Sequence, residues 1–176
     1  MHPVVAVIRE RFAQLPPVAA TDYSALRARM EGFGATRPLP EGTQVEAITL
    51  SGVPGERIIP PDMNKDRSVL YLHGGGYVIG SPGSHRALVA QLAGAAGATT
   101  YLIDYPLAPE HPFPAALDAT VAAYQALIEQ GQSPANLVIA GDSAGGGLAL
   151  ATALKLRDGN LPLPAGLFCM SPWADL

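Results

Sequence analysis

Residues 137–157 have the sequence LVIAGDSAGGGLALATALKLR, in which an apolar run is followed by a glycine-rich segment. The apolar run Leu137–Ala140 predicts a buried strand, and Ala144–Arg157 predicts a helix that Gly159 ends. Between them lies the pattern G-x-S-x-G, at residues 141–145. A sharp turn of this kind pushes the side chain of its serine, Ser143, out at the end of the sheet. Glycines must flank it because side chains there would collide with the turn.

Strands and helices alternate along most of the chain upstream of this turn and beyond it. The alternation predicts an α/β protein whose mostly parallel sheet is covered by helices on both faces. Val45–Leu50 and Glu56–Ile59 predict two short strands around the turn signal at residues 52–55. The other predicted elements are strands at Ser68–Leu72, Thr99–Ile103 and Leu167–Met170 and helices at Arg86–Ala96 and Ala115–Gln130.

Apolar residues recur at helical spacing in the first 34 residues. A first helix would carry Val4, Ile8, Phe12 and Leu15 on one face and end at Pro16-Pro17. A second helix would be capped by Thr21 or Asp22, carry Tyr23, Leu26, Met30 and Phe33, and close at Gly32 and Gly34. These helices either only pack against the rest of the chain or form a lid over a site. We expect residues 1–40 to form cap helices and residues 41–176 to form the core.

Composition excludes several classes of function. The chain has 176 residues, a net charge of −4 and no basic run, which argues against binding to nucleic acid or to an anionic membrane surface. No apolar stretch reaches the roughly 20 residues of a membrane span, and Val4–Ile8 is too short for a secretory signal. The single cysteine, Cys169, cannot form an internal disulfide. We therefore expect a cytoplasmic protein.

A second glycine cluster, His73-Gly74-Gly75-Gly76-Tyr77, directly follows a predicted strand. A serine that attacks a carbonyl carbon creates an oxyanion, which needs hydrogen-bond donors about 2.7–3.1 Å away. Ala144 follows the serine and can supply one such N–H. We expect Gly74, Gly75 and Gly76 to supply others, with Gly75 the best single candidate.

Both glycine clusters also have a simpler interpretation. The cluster around Ser143 could be a plain turn or a phosphate-binding helix start, and residues 73–76 could be a flexible loop. The Gly-Lys-Ser/Thr signature of a phosphate-binding loop and the G-x-G-x-x-G dinucleotide pattern are absent from the sequence. We expect neither a cofactor nor a metal ion.

Five segments complete the pattern: HGGGY at 73–77, YPLAPE at 105–110, PFPA at 112–115, GDSAGG at 141–146 and SPW at 171–173. With them the sequence resembles the hormone-sensitive-lipase-like esterases of the α/β-hydrolase fold. That resemblance implies hydrolysis of carboxylic esters with short to medium acyl chains. It also implies that Ser143 is the nucleophile and that Gly74–Gly76 and Ala144 form the oxyanion hole. Pro106 departs from the family, which usually has arginine there, and this leaves the anchoring of its loop open.

Other polar residues near these motifs are expected either to support the site's structure or to take no part in its chemistry. We expect His73 to support the glycine loop rather than act as a base, and Asp142 to order the turn through hydrogen bonds. His85 is expected to be exposed at the start of a helix, and His111 to lie in a proline-rich loop outside the chemistry. Cys169 is expected to be a small buried hydrophobe.

No histidine follows Ser143 in the sequence, although this fold places the acid and then the histidine after the serine. A serine without a base is a weak nucleophile. We therefore expect an incomplete α/β-hydrolase sheet under an N-terminal helical cap, with acid and histidine in a C-terminal remainder of the protein. Asp175 is an alternative position for the acid, although its segment in the family looks structural.

The resulting functional hypothesis is a serine carboxylesterase whose partner is a small-molecule ester. One alternative is a non-catalytic binding module, because hormone receptors of this family have lost the histidine; another is an amidase or peptidase. The edge strand Leu167–Met170 would lack its outer neighbour in these residues, so a homodimer through this edge is also possible.

Overall fold

Six strands form one sheet in this computed structural model, which describes residues 10, 13–14, 18–19 and 21–174. The strands are β1 (Gln44–Leu50), β2 (Val53–Ile59), β3 (Ser68–Leu72), β4 (Thr99–Ile103), β5 (Leu137–Asp142) and β6 (Gly166–Met170). Their order across the sheet is β1-β2-β4-β3-β5-β6. The pairs β1/β2 and β2/β4 are antiparallel, and the other pairs are parallel. The predicted mostly parallel sheet is therefore confirmed.

Four helices accompany the sheet in the described residues: α1 (Tyr23–Ala35), α2 (Pro82–Ala96), α3 (Ala115–Glu129) and α4 (Ala144–Asp158). A short 3-10 helix at Pro134–Asn136 precedes β5. Successive residues of a strand point to opposite faces of the sheet, and the core is divided in the same way. Leu70 and Leu72 belong to one buried cluster together with residues of α3 and α4. Tyr71 belongs to a second cluster with residues of α2.

The structure corrects three boundaries that were predicted from the sequence. Strand β2 begins at Val53, so the turn after β1 contains only Ser51 and Gly52. Helix α2 begins at Pro82 because Ser81 caps it: its hydroxyl accepts from Ser84 N–H, while the Ser84 hydroxyl accepts from Ser81 N–H. Helix α1 runs through both of its glycines to Ala35.

Helix α1 is capped at its N-terminus and is joined to α2 near its C-terminus. Asp22 caps it by accepting a hydrogen bond from Ala25 N–H, as the sequence suggested. Near its C-terminus Glu31 accepts a hydrogen bond from the hydroxyl of Ser81, the residue that caps α2. The first predicted helix, with Val4, Ile8, Phe12 and Leu15, falls largely outside the described residues.

Among the described residues, strand β6 forms one edge of the sheet and pairs only with β5. Its side chains are apolar, yet Phe168 is 52% exposed and Leu167 is 37% exposed. An open groove beside the strand is lined by Leu150, Leu154 and Leu163 as well as Leu167. This edge is the least covered part of the sheet's apolar surface in the described residues.

Candidate active site

Ser143 occupies the single-residue turn between β5 and α4. Its backbone has φ 51° and ψ −118°, a left-handed conformation that side-chain-bearing residues rarely adopt. Such a conformation costs on the order of 1–3 kcal/mol and persists only where surrounding structure enforces it. The side chain makes no hydrogen bond that caps α4, and the residue is exposed. The hydroxyl is therefore available to an incoming molecule.

Two backbone hydrogen bonds from the end of β6 and the loop after it hold this strained residue in place. Ser143 N–H donates to the Met170 carbonyl at 2.9 Å, and Trp173 N–H donates to the Ser143 carbonyl at 2.8 Å. The carbonyl of Ser143 also accepts from Gly147 N–H at 3.1 Å, which begins the helical ladder of α4. The backbone of the serine is thus clamped from both sides.

The glycines around Ser143 are required by close packing against β3. A Cβ atom on Gly145 would lie 2.6 Å from the His73 carbonyl oxygen, and one on Gly141 would lie 2.7 Å from the Leu72 carbonyl oxygen. Real Cβ atoms do not approach backbone this closely. The absence of side chains lets the start of α4 sit directly against the end of β3. The free N–H groups and the positive end of that helix consequently lie beside the glycine loop.

The glycine loop that follows β3 is connected to the serine turn by one carboxylate. Asp142 Oδ1 accepts hydrogen bonds from Gly74 N–H at 3.0 Å and from the Tyr71 hydroxyl at 2.9 Å. The N–H of Gly74 is therefore engaged within the protein. This geometry does not support the expectation that Gly74 donates to an oxyanion, and it makes Gly74 an anchor of the loop.

Beyond Gly74 the loop takes a left-handed course through Gly75, Gly76 and Tyr77, with φ values of 130°, 61° and 63°. The Gly75 carbonyl accepts from the N–H groups of Val78 and Ile79, at 3.1 and 3.0 Å. These bonds close a tight turn at the centre of the loop. The ring of Tyr77 stacks against Trp173, with centroids 6.1 Å apart, so the loop also contacts the segment that clamps Ser143.

His73 is fully buried beneath the glycine loop. Its ring stacks on Tyr105 with centroids 4.2 Å apart, and its Nδ1 lies 2.9 Å from the Gly74 carbonyl oxygen. Burial lowers the pKa of His73 to about 4, so the ring is neutral at physiological pH. The Tyr105 hydroxyl donates to the His73 carbonyl at 2.6 Å. These contacts fix the position of the strand end from which the loop departs.

His85 is buried, with 5% of its surface exposed, and the expectation that it is exposed was wrong. The reason is the earlier start of α2, which turns His85 inward toward the sheet. Its Nδ1 lies 2.8 Å from the Ser84 hydroxyl, and its Nε2 lies 3.7 Å from Asp142 Oδ1. Burial acts to raise the pKa of Asp142, but His85 and the two hydrogen bonds outweigh it and hold that pKa below its usual range.

Other predicted residues fall where they play no visible part in this cluster. His111 is exposed in the proline-rich loop, and Cys169 is half-buried, with its thiol 3.6 Å from the Gly146 carbonyl oxygen. Asp175 lies outside the described residues. Among the residues that the structure does describe, no group of three or more His, Cys, Asp or Glu side chains could hold a metal ion.

Sequence reasoning did not find Tyr71, His85 and the hydroxyl of Tyr105 as members of the site. Tyr71 and Asp142 lie on neighbouring strands that are far apart in the chain, so their contact depends on the β3/β5 pairing. The signal for His85 was present in the sequence, because Ser81-Pro82 is a favourable helix start that places His85 one turn inside α2.

A serine on a strained strand-to-helix turn, beside a glycine-rich loop at the ends of parallel strands, defines the class of α/β-hydrolases. Residues 69–176 match the family model described as the alpha/beta hydrolase fold. The chain belongs to this family, among the hormone-sensitive-lipase-like esterases.

Relatives and solved structures agree with that assignment. The chain is 52% identical over 118 residues to an acetyl-hydrolase of Streptomyces hygroscopicus, covering 67% of this chain and 40% of the relative. It is 40% identical over 153 residues to an esterase of Acinetobacter venetianus, covering 87% and 50%. A crystal structure of an esterase from the bacterial hormone-sensitive lipase family superposes with a TM-score of 0.89 at 44% identity, covering 98% of this chain and 57% of that one. The chain thus spans about half the length of the curated relatives it matches.

Proposed function

We propose that this chain carries the nucleophile and the oxyanion donors of a serine carboxylesterase that acts on small esters with short to medium acyl chains. The observation that carries the proposal is the exposed Ser143 on its strained, doubly clamped turn at the start of α4. The relatives named acetyl-hydrolase and esterase support the reaction class.

In the proposed reaction, the Ser143 hydroxyl oxygen attacks the ester carbonyl carbon while a histidine base takes the hydroxyl proton. The carbonyl oxygen becomes an oxyanion that accepts hydrogen bonds from the N–H groups of Gly75, Gly76 and Ala144. Collapse of this intermediate expels the alcohol, which receives the proton, and leaves an acyl group on Ser143. Water then attacks the acyl group by the same route and releases the carboxylic acid.

The base and its acid partner are proposed to come from polypeptide outside these 176 residues. All four histidines of the sequence precede Ser143, and the described ones, His73, His85 and His111, are either buried in other contacts or in an exposed loop. The matched region covers 40% and 50% of these two relatives, which leaves room for both groups in the remainder. The remainder would pack against β6 as the partner of this chain.

Two further expectations belong to the same proposal. None of the described helices combines the length and the apolar character needed to cross a bilayer. Cys169 is a free thiol, which supports the proposed cytoplasmic location. We propose no cofactor, because every proposed step uses only side chains, backbone amides and water.

The test is Ser143→Ala in the full-length protein, with Ser133→Ala, at an exposed position, as the matched control. Hydrolysis of p-nitrophenyl acetate and butyrate should fall by at least about 1,000-fold in the first variant, because the nucleophile is removed. Labelling by a fluorophosphonate probe should disappear as well, while the control retains both properties. Persistent labelling of Ser143→Ala would move the nucleophile elsewhere. A wild-type protein that binds esters without hydrolysing them would favour the binding-module alternative.

A further inference from the structure

Arg27 on α1 reaches across to two loops that border the site. Its Nε donates to the Val78 carbonyl at 2.8 Å, and its Nη2 donates to the Ala108 carbonyl at 2.9 Å. Its two Nη groups also donate to the two carboxylate oxygens of Glu110, both at 2.8 Å. One planar guanidinium thus satisfies three acceptor groups at once, which the single ammonium of lysine cannot do in this geometry.

The Val78 carbonyl belongs to the tight turn that shapes the glycine loop. Val78 N–H donates back to the Gly75 carbonyl, so a shift of Val78 would be transmitted directly to the peptide groups of Gly75 and Gly76. The second loop is joined to the same turn, because Ala108 N–H donates to the Tyr77 carbonyl at 2.8 Å. Arg27 therefore holds the two loops where they already meet.

The glycine loop consequently has two anchors, one on either side of the left-handed segment at residues 75–77. Asp142 holds Gly74 at the near end, and Arg27 holds Val78 at the far end. The cation that contacts the proline-rich loop is Arg27, which comes from α1. The hydrogen bond from the Arg27 guanidinium lowers the pKa of Glu110 to about 2, and the carboxyl is ionised at neutral pH.

We propose that Arg27 is a positioning residue for the oxyanion hole, and that α1 thereby contributes to the rate of the chemical step as well as to any covering of the site. This inference rests on the proposed esterase function. Displacement of a catalytic group by about 1 Å can lower a rate about 100-fold. A small shift of the glycine loop after loss of the bond to Val78 would therefore be enough to slow the reaction.

The experiment compares Arg27→Met, Arg27→Lys and Glu110→Gln in the full-length protein, with Arg37→Met as the control. Arg37 is exposed just beyond the end of α1 and matches the lost charge and chain length. Active sites are counted by fluorophosphonate titration, so that kcat refers to folded enzyme only. The affinity for a phenylboronic acid, whose tetrahedral adduct on the serine places an oxygen at the oxyanion position, is measured beside kcat and KM.

Arg27→Met should lower kcat per titrated site by about 10-fold or more, leave KM within about 2-fold, and weaken boronic acid binding in parallel. Arg27→Lys should fall between the wild type and Arg27→Met. Glu110→Gln should keep most of the wild-type kcat, because the bond from Nε to Val78 remains. If Arg27→Met does not fold, the kcat per titrated site, the KM and the boronic acid affinity of Arg27→Lys test the proposal instead.

A lower melting temperature with unchanged kcat per titrated site would overturn the inference, since Arg27 would then only stabilise the fold. A change confined to KM or to acyl-chain preference would overturn it in favour of a covering role. In either case the wild type remains an esterase that depends on Ser143, so the proposed function survives. A wild-type protein without esterase activity would overturn both proposals.

Discussion

Asp142 directly precedes Ser143 in the chain, and its carboxylate connects the serine turn to the glycine loop through Gly74. The same oxygen accepts from the Tyr71 hydroxyl and lies near the His85 ring. Three groups from β3, the glycine loop and α2 therefore converge on one carboxylate. Because it is partly buried, its charge is stabilised only while these neighbours remain in place.

Replacing Asp142 with asparagine preserves the shape of the side chain but removes this charge. We expect the free energy of unfolding of the full-length protein to fall by about 1–3 kcal/mol at pH 7, because the bonds from Tyr71 and Gly74 would then go to a neutral acceptor instead of a charged one. We also expect kcat to fall about 10-fold, since the anchor of Gly74 is weakened. Urea unfolding and steady-state kinetics measure the two effects, and Asp158→Asn, at an exposed carboxylate, is the control.

The difference in unfolding free energy between the wild type and Asp142→Asn should decrease as the pH falls. The folded-state pKa of Asp142 is held below its ordinary value near 3.9, so its stabilising contribution is complete above about pH 4–5. The contribution is lost as pH falls through the folded-state pKa. The stability gap between wild type and Asp142→Asn should therefore shrink on acidification below about pH 4. A gap that stayed constant down to pH 2 would show that the charge of Asp142 contributes nothing.

At the scale of elements, helix α1 either only packs against the rest of the chain or also covers the site. Leu26 and Met30 are half-buried, and Phe33 is 39% exposed, so the apolar face of α1 is only partly covered by the described residues. The contacts of Arg27 place the helix beside the glycine loop. We expect this apolar face to contact the acyl chain of a substrate.

The double variant Leu26→Ala/Met30→Ala tests this covering role without disturbing Arg27. We expect the ratio of kcat/KM for hexanoate over acetate esters to change by about 10-fold, because one methylene in an apolar pocket changes discrimination by roughly that amount. The kcat for the acetate ester should stay within about 2-fold. Ser24→Ala, on the exposed side of α1, is the control. An unchanged ratio together with lower stability would support the packing-only alternative.

Most elements could be predicted from the sequence because the hydrophobic pattern of each segment and the residues at its ends indicate the same type of element. Both β3 and β4 match their predicted bounds, since each is a short run rich in aliphatic, aromatic and β-branched residues. The start of β2 could not be predicted, because Pro54 and Gly55 are typical of turns, yet in the structure they pair with Thr49 and Ile48 of β1. The contacts of Arg27 join residues more than 50 positions apart, and no local pattern announces them.

At the scale of the whole molecule, the exposed edge at β6 is the feature with the clearest consequence. The strand is apolar and exposes Leu167 and Phe168, and the groove beside it is apolar as well. Uncovered apolar edges recruit further strands, which leads to association. The 176 residues by themselves therefore present a surface that favours self-association.

We expect these 176 residues, expressed alone, to dimerise or aggregate through β6 and to hydrolyse no ester. Phe168→Lys should reduce association, since charged residues protect sheet edges, whereas Ala47→Lys on the opposite edge strand β1 should not. Size-exclusion chromatography with light scattering measures the outcome. Addition of the C-terminal remainder as a separate polypeptide should restore ester hydrolysis that depends on Ser143. A stable, active monomer of the 176 residues alone would contradict the proposed division of the active site.

The two backbone clamps on Ser143 also carry a consequence for protein synthesis. Met170 and Trp173, which supply the clamps, both follow the serine in the chain, so they leave the ribosome after it. Until they emerge, nothing on the growing chain supplies these two bonds to the strained turn, whereas the glycine loop and its anchor on Asp142 are already available. The order of translation therefore delays the locking of this turn, and in a nascent chain stalled before residue 170 the backbone of Ser143 lacks both clamps.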